Sequence, residues 1–332
     1  MIQHPAILAL TVTSLVTGCL LLYTGRYATR ILENWDLTSG SESQLELERR
    51  TCLISTILSY VLFFQTLSLF LFIFTADNLH SQFTGAMCAA GSLGVNSYGY
   101  PVFLLKIANC LLAGVWLIIN HVDTRGYDYP LIKAKYRLLN ILVPLVLLEV
   151  MFQFVYFYNL KADVITSCCG SLFSTDTHSI AGEIAGLPAF PMQLAFFSFM
   201  AATLASGGFF YLRRRGGALF ALFSSLTFVI ASASLVSFIC LYFYELPSHH
   251  CPFCILQKEY GYVGYALYTT LLGGAASGLG VGALAPFSGC ESLSNVIPPI
   301  QRRLTAVTLI LYLLFTLIVV GRMLTTSFRL SG

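Results

Sequence analysis

The run His249-His250-Cys251-Pro252-Phe253-Cys254 sets two cysteines three residues apart behind two imidazoles. That pattern supports three chemistries: reversible dithiol oxidation, ligation of a thiophilic metal, or a static bridge. The spacing predicts a helix beginning at Cys251, with Pro252 in its first position and Cys254 one turn later. A thiol at a helix N-terminus has its thiolate stabilised by unsatisfied N–H groups and by the dipole. Cys251 is therefore the expected nucleophile and Cys254 its resolving partner. His249 and His250 would lower the thiol pKa or shuttle protons; in the metal reading they join Cys251 and Cys254 as ligands for copper or zinc, for transport or sensing. A second constellation is Cys168-Cys169-Gly170. Adjacent cysteines can close a strained ring, bond separately to other loops or share a soft metal, and spacing alone does not choose among these, nor settle whether Cys88 or Cys240 bridges to them.

The elements that must position these residues are apolar. Of 332 residues, 57% are hydrophobic and 10% charged, against about 45–50% and about 25% in ordinary soluble domains. Lipid is the expected solvent. A net charge of +3, scattered along the chain, gives no footprint for nucleic acid. A membrane helix needs about 20 apolar residues, and eight such stretches occur, at 5–24, 52–76, 101–120, 138–160, 189–211, 218–243, 262–286 and 305–322. The first has no Lys or Arg ahead of it and Arg26 and Arg30 behind it, so it reads as a retained helix rather than a cleaved leader. Val16-Thr17-Gly18-Cys19 resembles a lipoprotein box, but the missing basic segment and the following Leu20-Leu21-Leu22 predict that it is not processed.

The expected fold is an all-α integral membrane protein of about eight transmembrane helices. Connections 1–2, 3–4, 5–6 and 7–8 hold Arg26, Arg30, Arg49, Arg50, Arg125, Lys133, Lys135, Arg137, Arg213, Arg214, Arg215, Arg302 and Arg303, whereas the other three hold only Lys161 and Lys258. The positive-inside rule then places both termini and the three Lys/Arg-poor loops outside the cytoplasm, in a cell (inner) membrane, with Arg322 and Arg329 running against the pattern. Cys88, Cys168, Cys169, Cys251 and Cys254 fall in those outer loops and Cys240 near the outer end of the sixth span, at the oxidising face where disulfides persist. Cys19, Cys52 and Cys110 fit small hydrophobic roles.

Two local patterns bear on packing. Thr38-Ser39-Gly40 followed by Ser41-Glu42-Ser43-Gln44 predicts a capping box opening a short charged surface helix. Gly274, Gly278 and Gly282 form a small-residue ridge on the seventh span, suited to close helix approach.

The two halves also echo one another. Cys88, Leu93 and Tyr98-Gly99-Tyr100 precede the third span as Cys251, Leu256 and Tyr260-Gly261-Tyr262 precede the seventh, with a one-residue slip. Four spans separate the two loops, as a tandem duplication of a four-helix unit requires: a first half at 1–160, an outer connecting loop at 161–188 bearing the vicinal cysteines, and a second half at 189–332.

The run Cys251-Pro252-Phe253-Cys254-Ile255-Leu256-Gln257-Lys258 resembles the outer-face motif of DsbB-type disulfide-generating membrane proteins, and more distantly that of the vitamin K epoxide reductases. The resemblance implies a thiol-disulfide redox protein that passes electrons from a periplasmic or extracellular thiol protein to a membrane quinone. Cys251 and Cys254 would be the quinone-proximal pair, with Cys168 and Cys169 as the relay. It covers about a dozen residues, and the chain departs from the family in its eight spans and in the vicinal second pair. For a quinone, the fourth span offers Glu149 and Gln153 one turn apart beside Phe152, Phe154, Tyr156 and Tyr158, with Lys106 on the third. A structural Lys106–Glu149 pair is the alternative, although their different depths count against direct pairing.

None of the six histidines falls inside a span, so a buried bis-histidine haem is not expected. No phosphate-cradling glycine loop and no Cys-x-x-Cys-His occurs. Besides thiol redox, two readings stay open: thiophilic metal binding or transport, and a membrane anchor within an electron-transfer complex whose thiols are static.

Overall fold

The computed structural model describes residues 4–36, 41–161, 165–166 and 180–330. Long helices account for nearly all of it, and no strand occurs among the described residues. Eight helices are long and apolar enough to cross a membrane. They are α1 (Pro5–Asn34), α2 (Glu42–Leu79), α3 (Gly99–Asp123), α4 (Ile132–Tyr158), α5 (Ala189–Arg213), α6 (Gly217–Tyr244), α7 (Val263–Leu284) and α8 (Ile297–Thr325). Short helical turns lie at Ala89–Leu93 and Ile180–Ala185. The chain is an all-α, multi-pass membrane protein whose solvent is the bilayer.

Several helices run beyond their apolar stretches, because a helix already nucleated gains one backbone hydrogen bond for each polar residue it adds. The charged segment after Ser41 is a case in point. Ser41 Oγ accepts the Gln44 N–H at 3.3 Å, as a capping residue should. The helix it opens is not a separate short one, however, but the first turns of α2, continuous to Leu79. Gln44 turns back to accept the Asp36 N–H at 3.3 Å instead of closing the reciprocal half of the box. The break at Thr38-Ser39-Gly40 lies outside the described residues. α8 likewise begins eight residues before its apolar core, where Pro298 and Pro299 occupy first-turn positions whose N–H groups have no helical acceptor.

The chain divides into two compact units. The first comprises residues 1–75, 96–160 and 283–301. Its core is an aliphatic and aromatic cluster built on Leu21, Leu58, Leu62, Trp116, Tyr136 and Leu142. Trp116 settles its indole N–H by donating to the Lys135 carbonyl at 3.1 Å.

The second unit comprises residues 76–95, 161–282 and 302–332. In it the glycine ridge of α7 packs as its spacing suggests. A Cβ on Gly274, Gly278 or Gly282 would overlap Tyr312 of α8, Ser224 of α6 or Ala221 of α6, respectively. Arg322 finds its explanation here too. Its guanidinium donates to the Tyr242 and Phe243 carbonyls at 3.1 and 3.3 Å and to Glu245 Oε1 at 3.0 Å. It thus answers orphan carbonyls at the C-terminus of α6, where a cation is favoured by the dipole as well. A local structural task holds this charge on α8, against the loop-charge pattern.

Candidate thiol centre

The second unit gathers three cysteines. Residues 76–95 belong to it, and they bring Cys88, at the N-terminus of the Ala89–Leu93 turn, to the loop between α6 and α7. The Cys88 and Cys251 sulfurs lie 3.6 Å apart. With Cys254 they form a set whose Sγ atoms all lie within 4.8 Å of one another. All three are buried: Cys88 and Cys251 are 0% exposed and Cys254 6%. Cys240 is also buried, on α6 one turn before Tyr244.

The local backbone differs from the helix expected at Cys251. Cys251 and Pro252 are non-helical, Cys254–Leu256 and Lys258–Tyr260 are single 3-10 turns, and α7 begins only at Val263. Two tyrosines account for this. The Tyr244 hydroxyl donates to the Cys251 carbonyl and the Tyr268 hydroxyl to the Pro252 carbonyl, so these oxygens are committed to side chains of α6 and α7. Gly261 and Tyr262, at φ +63° and +57°, then turn the chain into α7. Gly264 completes the fit, since a Cβ there would press on the Ile255 carbonyl at 2.9 Å. The N-terminal dipole invoked for Cys251 is therefore not delivered by a helix of its own.

The loop is clamped from other sides as well. Gln257 donates its amide to the Met87 carbonyl at 2.7 Å, joining the Cys254 segment to the residue before Cys88. Asp77, near the end of α2, accepts the Ala89 N–H at 3.2 Å. α6 contains a π-helical turn at Leu235–Ile239, a feature that re-aims carbonyls and recurs at functional sites. One of its carbonyls, Val236, lies 2.9 Å from His250 Nδ1. A carbonyl only accepts, so Nδ1 is the donor in this contact.

His249 stacks edge-on against Tyr244, with ring centres 4.4 Å apart, and Tyr260 packs on another side of Tyr244 at 4.8 Å. Burial holds the His249 pKa below the ordinary histidine value; His250 pushes the same way and Cys88 opposes. At neutral pH, His249 is an uncharged ring able to accept a proton rather than a fixed cation beside a thiolate. Burial also raises the Tyr260 phenol. Neither histidine belongs to the three-residue set that could hold a metal among the described residues.

The other residues singled out from sequence are placed as follows. Cys168 and Cys169 lie outside the described residues. Lys106, Glu149 and Gln153 sit in the first unit, buried to 1% exposure each. Lys106 and Glu149 form a direct ion pair at 2.6 Å, contrary to the depth argument. The long lysine chain spans the offset, because its ammonium reaches well away from its Cα. Glu149 Oε2 also accepts from Asn109 at 2.6 Å and Gln65 at 2.7 Å, while Lys106 donates to Ser68 at 3.1 Å. Gln153 donates to Ser14 at 2.6 Å and to the Leu10 carbonyl at 3.2 Å. The residues that sequence reasoning left off the site are Cys88, Tyr244 and Tyr268. The signal for Cys88 existed in the correspondence that aligned it with Cys251; nothing in the sequence marked the two tyrosines.

No family model matches the chain, and no curated protein and no solved structure matches it.

Proposed function

We propose that this protein is a membrane thiol-disulfide exchange protein in which Cys251 is the central sulfur, Cys254 and Cys88 are its two alternative partners, and a membrane quinone is the final electron acceptor. The observation behind this reading is the 3.6 Å separation of the Cys88 and Cys251 sulfurs, with Cys254 within 4.8 Å. Exchange requires a third sulfur beside a disulfide, and this cluster supplies one. From a Cys251–Cys254 disulfide, the Cys88 thiolate attacks Cys251 Sγ, a Cys88–Cys251 bond forms, and Cys254 leaves as thiolate. No net oxidation occurs in that step. Net turnover takes two electrons and two protons from a substrate dithiol, which becomes a disulfide, and delivers them to the quinone, which becomes a quinol.

The site's surroundings suit this use. The Tyr244 and Tyr268 hydroxyls fix the backbone on either side of the Cys251–Pro252 bond, so the sulfurs are held at reacting distance. His249, neutral and beside the cluster, can take the proton of an attacking thiol. The quinone and an outer, oxidising location rest on the resemblance of residues 251–258 and on the Lys/Arg distribution. Cys168 and Cys169 remain the proposed relay to a partner thiol protein. Glu149, Gln153 and Lys106 are bonded to one another or to neighbouring helices, which suits a packing role better than one in holding the quinone.

The test is differential alkylation of the protein in intact membranes, before and after mild reduction, mapped residue by residue. Cys251 should switch between bridged and reduced together with either Cys254 or Cys88, and added quinone should restore the bridged form. Bonds that neither reduce nor re-form would make the cluster a static staple and remove this reading.

A further inference from the structure

We infer that the reduced Cys88–Cys251–Cys254 cluster is a binding site for a soft monovalent metal ion, Cu(I). The inference goes beyond exchange chemistry, because it concerns the state in which all three sulfurs are thiols and needs no electron transfer. Its basis is geometric. A metal–sulfur bond of about 2.3 Å places the sulfurs of a trigonal site about 4 Å apart. The Cys88–Cys251 separation of 3.6 Å and the 4.8 Å limit on the whole set bracket that spacing, so small side-chain rotations suffice to close a three-sulfur ring on one ion.

The chemistry of the donors selects the ion. Thiolates are soft ligands, and an all-sulfur set favours Cu(I) over harder cations. Three sulfurs satisfy Cu(I) by themselves, whereas zinc would need a fourth donor, from water or another side chain, at this buried site. Burial adds a reason why a cation belongs here. Three thiolates packed together away from water would repel one another, and the ion offsets both the repulsion and the lost hydration. Each thiol that ligates gives up its proton to solvent. The backbone is already fixed for this task by Tyr244 and Tyr268, and Gln257 holds the two cysteine-bearing segments together through the Met87 carbonyl. Preorganisation of that kind raises affinity, since little ordering remains to be done when the ion arrives.

The experiment uses the full chain, reduced and kept anaerobic in detergent, titrated with Cu(I) delivered as its bicinchoninate complex. One ion per chain should transfer, with a thiolate-to-copper absorption band in the ultraviolet. Cys88→Ser, Cys251→Ser and Cys254→Ser should each weaken binding by more than about 100-fold, above the loss typical of outer-shell partners. Cys240→Ser should bind as the unmodified chain does. Because a serine variant can fail to fold, the unmodified protein supplies a second readout: bound Cu(I) should protect Cys88, Cys251 and Cys254 together from alkylation. Binding that ignores Cys88, protection of only the Cys251–Cys254 pair, or equal competition by zinc would each overturn the assignment. The outcome is separable from the exchange reading. A chain that binds Cu(I) but is never re-oxidised by quinone loses that function and keeps this site, and the reverse result loses only the site.

Discussion

The two units each bury a polar centre, the first among its membrane-spanning helices and the second in segments that connect such helices, and they solve that problem in opposite ways. In the first, unlike groups meet: the Lys106 ammonium, the Glu149 carboxylate, two amides and a hydroxyl answer one another at 2.6–3.1 Å. Opposite charges and matched donors leave such a centre with little to gain from changing state. In the second, like groups meet: three cysteine sulfurs stand together, and sulfur gains by forming a bond to sulfur or to a soft cation. The first centre is therefore expected to hold helices in place, and the second to react.

The largest expected effect is at the first centre. Lys106→Ala strands a buried carboxylate and should cost about 3–5 kcal/mol, read as a lowered thermal midpoint in detergent or as loss of folded protein. The double variant Lys106→Met with Glu149→Leu should recover most of it, because no charge is then left unanswered. Were the single variant to fold normally and lose redox cycling instead, the division between a structural and a reactive centre would collapse.

At the reactive centre, Cys88→Ser should leave folding nearly intact. It should slow exchange at the Cys251–Cys254 disulfide by more than about 100-fold, because an intramolecular attacker is lost. Rapid quenching followed by alkylation measures this, and an unchanged rate would reduce Cys88 to a bystander. Tyr268→Phe should have a smaller effect, about 1 kcal/mol of stability, together with faster alkylation of Cys251. Loss of the Pro252 carbonyl's partner frees the loop, and the same change at a tyrosine without such a bond, Tyr211→Phe, should do neither.

The smallest effect is one of pH. His249 has its pKa depressed in the folded loop, so the unfolded loop binds a proton more readily. Stability of this segment is full above the ordinary histidine pKa of about 6.5 and falls as pH drops from there towards the depressed folded value. Hydrogen exchange over residues 246–260, corrected for intrinsic rates, should therefore be faster in mild acid than at neutral pH, and His249→Phe should remove the difference. A pH dependence that survives His249→Phe would assign the titration to another group.

Apolar run length located all eight long helices, because a bilayer-spanning helix advertises itself in sequence by hydrophobicity alone. Their ends were less legible. α1 continues to Asn34 and α2 starts at Glu42, since polar residues sustain a helix once it has been nucleated by its buried part. The site was half legible. Cys251 and Cys254 declare themselves by spacing, while Cys88 joins them from 163 residues away. The Lys106–Glu149 pair was misjudged because position along a helix gives the depth of a Cα, whereas a lysine delivers its charge several ångströms from it.

By itself, then, the sequence determined the solvent, the eight long helices and the chemical types available, since these depend on composition and on short-range periodicity. The tertiary structure decided which cysteines stand together, that Cys251 lies in a tyrosine-clamped loop rather than at a helix N-terminus, and that Arg322 caps α6. Those outcomes depend on contacts between residues far apart in the chain, where ångström-scale packing rather than local pattern sets which groups can meet.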